Sequence, residues 1–198
     1  MKVLLILYPI NPYVNFLIRK KRFPKTKERI ASFYQHLINK RYPGFQIVFV
    51  LFSKNRNSAK PNMSQLWKGI NIKASDIVGS AGVTYRNFRY NWQRPKHADI
   101  FALCPEPIDE LVIGGFHLWD CVDGFAGYAF QKGLNVVVDE DLTDLFFYMI
   151  KDLKSKLSLQ IPISREVSLQ RKKERLHEVG LLEHARKRRR DKPWFTPI

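Results

Sequence analysis

The segment GGFHLWDCVDGFAGYAF, residues 114–130, carries Cys121, one of two cysteines in the chain, where a glycine-led apolar run gives way to helical spacing. In an open parallel α/β sheet, ligands bind beyond the carboxyl ends of the strands, where the chain passes into the next helix. A thiol at such a helix start meets the dipole and the free amides of the first turn, which favour the thiolate and pull its pKa below about 8.5. The same amides can hold an oxyanion developing on an attacked carbonyl. Cys121 is therefore expected either as a nucleophile or, with equal weight, as a small buried apolar residue. His117 and Trp119 on the incoming turn are expected to line a pocket or to pack, and Asp120 and Asp123 suit helix caps. Cys104, set before Pro105, has no comparable surroundings and is expected to be structural.

Periodicity supplies the elements that must hold these residues. Residues 2–7 predict a strand, and after a proline-containing connection 25–41 predict a helix whose Ile30, Phe33, Tyr34, Leu37 and Ile38 share a face. FQIVFVLF, 45–52, is apolar throughout and predicts a central parallel strand covered on both sides. A polar surface loop is expected over 53–75, then a weak strand at 76–78 and a short helix at 96–103 stopped before Pro105. Residues 110–113 and 134–138 predict two more buried strands. Between them Val122, Phe125, Ala126, Ala129 and Phe130 form an apolar helical stripe, Gly124 and Gly127 admit a close approach to the sheet, and Gly133 ends the helix. This alternation predicts an α/β fold of three layers, a mostly parallel sheet with helices on both faces. An amphipathic helix is expected at 143–157. A single long, charged helix is expected at 165–190, docking through Leu169, Leu176, Val179, Leu181 and Leu182 on the domain or on another subunit. The expected division is an α/β domain over 1–158 and a basic helical C-terminal extension over 159–198.

With 198 residues, 45% of them hydrophobic, the chain suffices for one ordinary domain. Its formal charge of +16 is clustered at 19–22, at 171–173 and at Arg186, Lys187, Arg188, Arg189 and Arg190. Such runs attract nucleic acid, acidic membrane surface or an acidic partner, and the arginine-rich tip is expected to be exposed. Two cysteines suit a reducing compartment, and the apolar run at 3–7 is shorter than a signal segment, so a cytoplasmic location is expected. No stretch approaches the roughly 20 apolar residues of a membrane span.

The stretch ELVIGGFHLWDCVDGFAGYAFQKGLNVVVDEDLTD resembles the cysteine-bearing core of the isochorismatase-like hydrolases, with Gly115, Cys121-Val122, Gly133, Val136 to Val138 and Asp141 matching in order and spacing. LLILYPINPYV and FQIVFVLF resemble the first two strands of that family, so the likeness spans roughly residues 1–150. The resemblance implies an Asp–Lys–Cys triad in which the cysteine attacks an amide or related carbon. Tyr8 stands where the first strand should end in aspartate, and a phenol with a pKa of about 10 does not replace a carboxylate base at neutral pH. Where the lysine belongs, the chain reads Ser80-Ala81-Gly82, leaving Arg86, Arg89 or Lys96 as charge partners. Tyr85 and Phe88 match the aromatic turn that follows. With Asn11, His117 and Trp119 they are the expected pocket lining. Neither metal ligands nor a cofactor motif are recognisable, so none is expected.

The expected function is that of a scaffold keeping the cysteine position without the ordinary triad, impaired in catalysis and acting by binding a small molecule at Cys121 or a partner. Two alternatives stand beside it. One is an active amidase-type cysteine hydrolase with a rearranged site, His117 or an acidic group serving as base. The other is a structural, oligomerising or nucleic-acid-binding protein, since VTYRNFRYNWQRPK interleaves cations with aromatic rings suited to phosphates and bases. A homo-oligomer is expected by analogy.

Overall fold

Five parallel strands organise the computed structural model, which describes residues 1–21, 27–56, 58–144, 163–178 and 180–197. They are β1 (Lys2–Leu7), β2 (Gln46–Leu51), β3 (Ile77–Ser80), β4 (Glu110–Gly115) and β5 (Val136–Thr143), in the order β3-β2-β1-β4-β5. β1, β2 and β4 are buried beyond their first residue, which explains their unbroken apolar runs. After β3 the chain returns past β1 to lay down β4, so a crevice opens beyond the ends of β1 and β4.

Strand alternation divides the core into two layers. Leu4, Ile6, Phe49 and Val112 face Val14 of α1 (Asn11–Lys21) and Ile30, Tyr34, Leu37 and Ile38 of α2 (Lys27–Arg41). On the opposite face Val3, Leu5, Val50 and Ile113 meet Phe88 of α3 (Tyr85–Asn91), Ile100 of α4 (His97–Phe101) and Phe125, Ala126 and Ala129 of α5 (Asp123–Gln131). Helix α1 occupies part of what the sequence presents as a proline-containing connection. Pro12 falls in its first turn, where an amide has no helical acceptor, so the ring is tolerated. The polar stretch 53–75 also contributes to the core. Trp67 is fully buried, 5.3 Å from the ring of Tyr34, and its amide donates to the Pro9 carbonyl at 2.8 Å.

Three expectations need correction. Phe130 is 44% exposed and meets Trp194 rather than the sheet. Gly124 and Gly127 face side chains: an added Cβ would lie 3.5 Å from the His97 ring and 3.3 Å from that of Trp194. The long final helix is two helices, α6 (Arg165–Glu178) and α7 (Leu182–Arg189), parted at Gly180. There φ is +70°, the Gly180 amide donates to His177 and the Leu181 amide donates to Leu176, a glycine-ended pattern that closes a helix. Most of the predicted helix at 143–157, and the domain boundary at 158, lie outside the described residues.

The C-terminal segment is bound to β5 by charge. Asp139, Glu140 and Asp141 are all buried, and consecutive strand residues point to opposite faces. Arg41 of α2 bridges Asp139 and Asp141 at 2.8 Å each, and the Tyr42 hydroxyl also donates to Asp139. Glu140 pairs with Arg189 of α7, while Lys172 of α6 reaches both Glu140 at 3.4 Å and Asp141 at 3.2 Å. Arg189, expected in an exposed basic tip, is 7% exposed because it is a partner in this network. Beyond it, the Val138 amide donates to the Trp194 carbonyl at 2.8 Å and Phe195 enters the core beside Val122.

Burial alone would raise the Asp141 pKa, but Lys172 and Arg41 outweigh it and hold the carboxyl below its usual range. Its contribution to stability is therefore complete above the unfolded value of about 4 and is lost as pH falls through the lower folded value. Lys172→Ala leaves two buried carboxylates under-compensated and is expected to cost about 3–5 kcal/mol in urea unfolding at pH 7. A loss below about 1 kcal/mol, the range of surface ion pairs, would contradict this account.

Candidate functional site

Two strand ends bring the site together. After Leu7 the chain turns at Tyr8, whose φ of +54° is left-handed, while its amide donates to Val50 at 2.9 Å. The Tyr8 ring is buried, stacked on Phe52 at 4.6 Å and tilted against Phe88 at 6.4 Å. On β4 the chain ends in Gly114-Gly115. Gly115 has φ +114°, and a Cβ there would stand 2.1 Å from the Leu7 carbonyl oxygen, so only glycine lets β4 finish this close to β1. His117 is also left-handed, at φ +66°. For non-glycine residues such as Tyr8 and His117 that conformation costs about 1–2 kcal/mol each, and such outliers gather at functional sites.

Beyond His117 the chain forms a π-helical turn, Leu118–Val122, before α5. The Val122 amide donates back to His117 at 3.2 Å, and the Leu118 amide donates to the Asp144 carboxylate at 2.9 Å. Cys121 therefore sits within a π turn, a local form frequent at functional sites, rather than at a simple helix start.

Cys121, Tyr8, Arg94, His97, Ile100 and Asp120 are among the residues lining a cavity of about 290 Å³. Arg94 pairs with Asp120, lines the cavity beside Cys121, and lies 5.2 Å from the centre of the Phe88 ring. Burial pushes the Cys121 thiol up to about 12, Asp120 adds to the shift, and Arg94 opposes it. Of the two readings of Cys121, this balance favours the apolar one, because desolvation outweighs both the helix turn and the nearby cation. Burial, aided by the Asp120 charge, also lifts the Tyr8 phenol well above its ordinary value, and burial lowers His97 below its own. At neutral pH the cavity offers a thiol, a phenol, a neutral imidazole and the half-exposed ion pair of Arg94 with Asp120. Among the described residues no hydrogen bond joins the thiol to a carboxylate or an imidazole.

The remaining residues singled out from the sequence are spread more widely. His117 stands edge-on to Tyr13 at 4.4 Å and to Phe88 at 6.1 Å. Trp119 turns to the C-terminal segment, where Arg189 lies 5.4 Å from its ring and Phe195 5.3 Å. Asn11 fixes a loop, donating to the Leu66 carbonyl at 2.6 Å and accepting from the Lys68 amide at 3.2 Å. Tyr85 packs on Tyr13 and Phe52 and accepts from Arg89 at 2.8 Å. Arg86, Arg89 and Lys96 are exposed. Asp120 and Asp123 form no side-chain caps. Asp123 instead holds Lys192 and accepts from the Trp194 indole at 2.9 Å. Cys104 is buried, its thiol pushed up to about 12 by burial. Sequence reasoning missed Arg94 and His97. Arg94 sits two residues before Lys96 in the same basic stretch, and only the turn at Pro95 decides which cation faces the thiol. No group of three His, Cys, Asp or Glu side chains able to hold a metal occurs among the described residues.

No protein-family model matches the sequence, and no curated protein matches it. Among solved structures the chain is similar to an isochorismatase family protein from Burkholderia thailandensis, at 17% identity and a TM-score of 0.43, covering 78% of this chain and 86% of that one. It is similar to N-carbamoylsarcosine amidase from Thermoplasma acidophilum, at 19% identity and a TM-score of 0.43, over 72% of this chain and 84% of that one. A Leishmania major protein provisionally described as the MAR1 ribonuclease is 11% identical, with a TM-score of 0.44, over 100% of this chain and 94% of that one.

A protonated thiol predicts slow chemistry. Alkylation of Cys121, read by peptide mass spectrometry against Cys104, is expected to stay slow from pH 7 to 9 and still to be rising at pH 10. A rate that levels off below pH 8.5 would show an activated thiolate and contradict the electrostatic balance described here.

Proposed function

We propose that this protein binds a small ligand in the cavity at Cys121 without hydrolysing it. The observation that carries this reading is the half-buried, protonated thiol, which has the Arg94 cation as a neighbour and makes no hydrogen bond to a carboxylate or imidazole that could take its proton. Tyr8, at the position where the resemblance implies a carboxylate base, is equally neutral. A ligand carrying a carboxylate or a polarised carbonyl would take Arg94 as its partner, because a guanidinium offers paired donors to such groups. Its apolar body would lie against Tyr8 and Ile100.

A second reading is favoured by one observation. His97 lines the same cavity with a neutral imidazole, so a rearranged cysteine hydrolase would use His97, and not His117, to accept the thiol proton.

The test is calorimetric titration with a panel of small carboxylates and carboxamides, with product analysis of the same mixtures. Arg94→Ala is expected to weaken the best ligand tenfold or more, and Cys121→Ala to change it less than threefold, with no product formed by any form of the protein. Turnover abolished by both Cys121→Ala and His97→Ala would replace binding by the second reading.

A further inference from the structure

Trp92 is 76% exposed, and its indole makes no ring or hydrogen-bond contact among the described residues. It nevertheless holds the left-handed C-cap of α3, at φ +53°, where its amide donates to the Asn87 carbonyl. Glycine is the residue that this position favours. A bulky side chain kept in a strained conformation without packing to support it points to a role outside the fold. Tyr90, two residues earlier in the chain, is 65% exposed, with the Arg89 guanidinium 5.5 Å from its ring. No acidic residue lies between Asp76 and Asp99, so this aromatic ridge is cationic throughout.

A second basic surface adjoins it. Arg94 is tied to Asp120 and Lys192 to Asp123, so the chain after the ridge and the chain after α7 meet the same turn at the start of α5. From there Arg186, Lys187, Arg190 and Lys192 line an open cleft of about 1140 Å³, floored in part by Phe195, in which they outnumber the acidic Glu183 and Asp191. Exposed rings suited to stacking, close to an open and mainly basic cleft, are what a flexible polyanion with planar bases requires. A duplex keeps its bases stacked inside and offers such rings nothing, and a lipid surface has no use for a cleft.

We propose that single-stranded nucleic acid binds across this end of the molecule, its bases stacking on Trp92 and Tyr90 and its phosphates following the cleft. This does not rest on the ligand reading of the Cys121 cavity.

The test is fluorescence anisotropy of the full chain with a labelled 15-nucleotide oligouridylate, against an RNA duplex of equal length and phosphatidylserine vesicles as competitors. Trp92→Gly is expected to weaken single-strand binding about tenfold while Tm is unchanged or raised, and Trp92→Phe to restore most of it. Replacing Arg186, Lys187 and Arg190 by glutamine should flatten the salt dependence by roughly 0.7 for each phosphate that the protein no longer neutralises. Absence of single-strand binding, a duplex bound as tightly, displacement by the vesicles, or binding unaffected by Trp92→Gly would each overturn the proposal. So would a change in mass by light scattering in Trp92→Gly, which would make the ridge an interface between copies.

Discussion

Three successive carboxylates on the edge strand of a parallel sheet would be untenable alone, since removing each from water costs several kcal/mol. Here Asp139, Glu140 and Asp141 meet Arg41, Lys172 and Arg189, so three negative charges face three positive ones from three different helices. The C-terminal segment that these charges hold also occupies the edge of β5, where the Val138 amide donates to the Trp194 carbonyl. The pairing reaches the site through the strand itself. Its register against β4 is irregular between Ile113 and Gly115, with Thr143 opposite Gly115, and the Thr143 hydroxyl donates to the Glu140 carbonyl at 2.7 Å. That irregular end places Asp144 where it accepts from the Leu118 amide and starts the π turn.

The same dryness that secures the core decides the chemistry of the cysteine. Tyr8, Phe52 and Phe88 fill the space beyond β1 with closely packed rings, leaving little water to solvate a thiolate. Against that, Arg94 is half exposed and already shares its charge with Asp120, so its pull on Cys121 is partly screened and partly spent. Desolvation wins, and both Cys121 and Tyr8 stay neutral. Two left-handed residues and one glycine that tolerates no Cβ show how tightly the backbone is drawn together here.

The layering was legible because burial imposes periodicity: the apolar runs of β1, β2 and β4 and the stripe Val122, Phe125, Ala126 and Ala129 state which faces are inside. Helix α1 was less legible, since a proline reads as an interruption until its place in the first turn is known. The break at Gly180 was legible in principle, because a glycine followed by Leu181-Leu182 suits a helix end, but the charged residues on either side continue the same pattern. Of the site, the sequence marked Cys121 and Tyr8 by their places at strand ends. It did not separate Arg94 from Arg86, Arg89 and Lys96, since a cation's neighbours depend on the path of the chain around Trp92 and Pro95.

By itself, then, the sequence determined the alternation of strands and helices, the cysteine beyond β4 and the excess of positive charge, all of which are local in pattern or additive in composition. Only the tertiary structure decided that Arg189 is buried, that Trp119 serves the C-terminal segment while His97 joins the cavity, and that the thiol is protonated. Those outcomes depend on desolvation and on charge pairs such as Glu140 with Arg189, 49 residues apart in the chain. No periodicity records either quantity, because both arise from which surfaces meet.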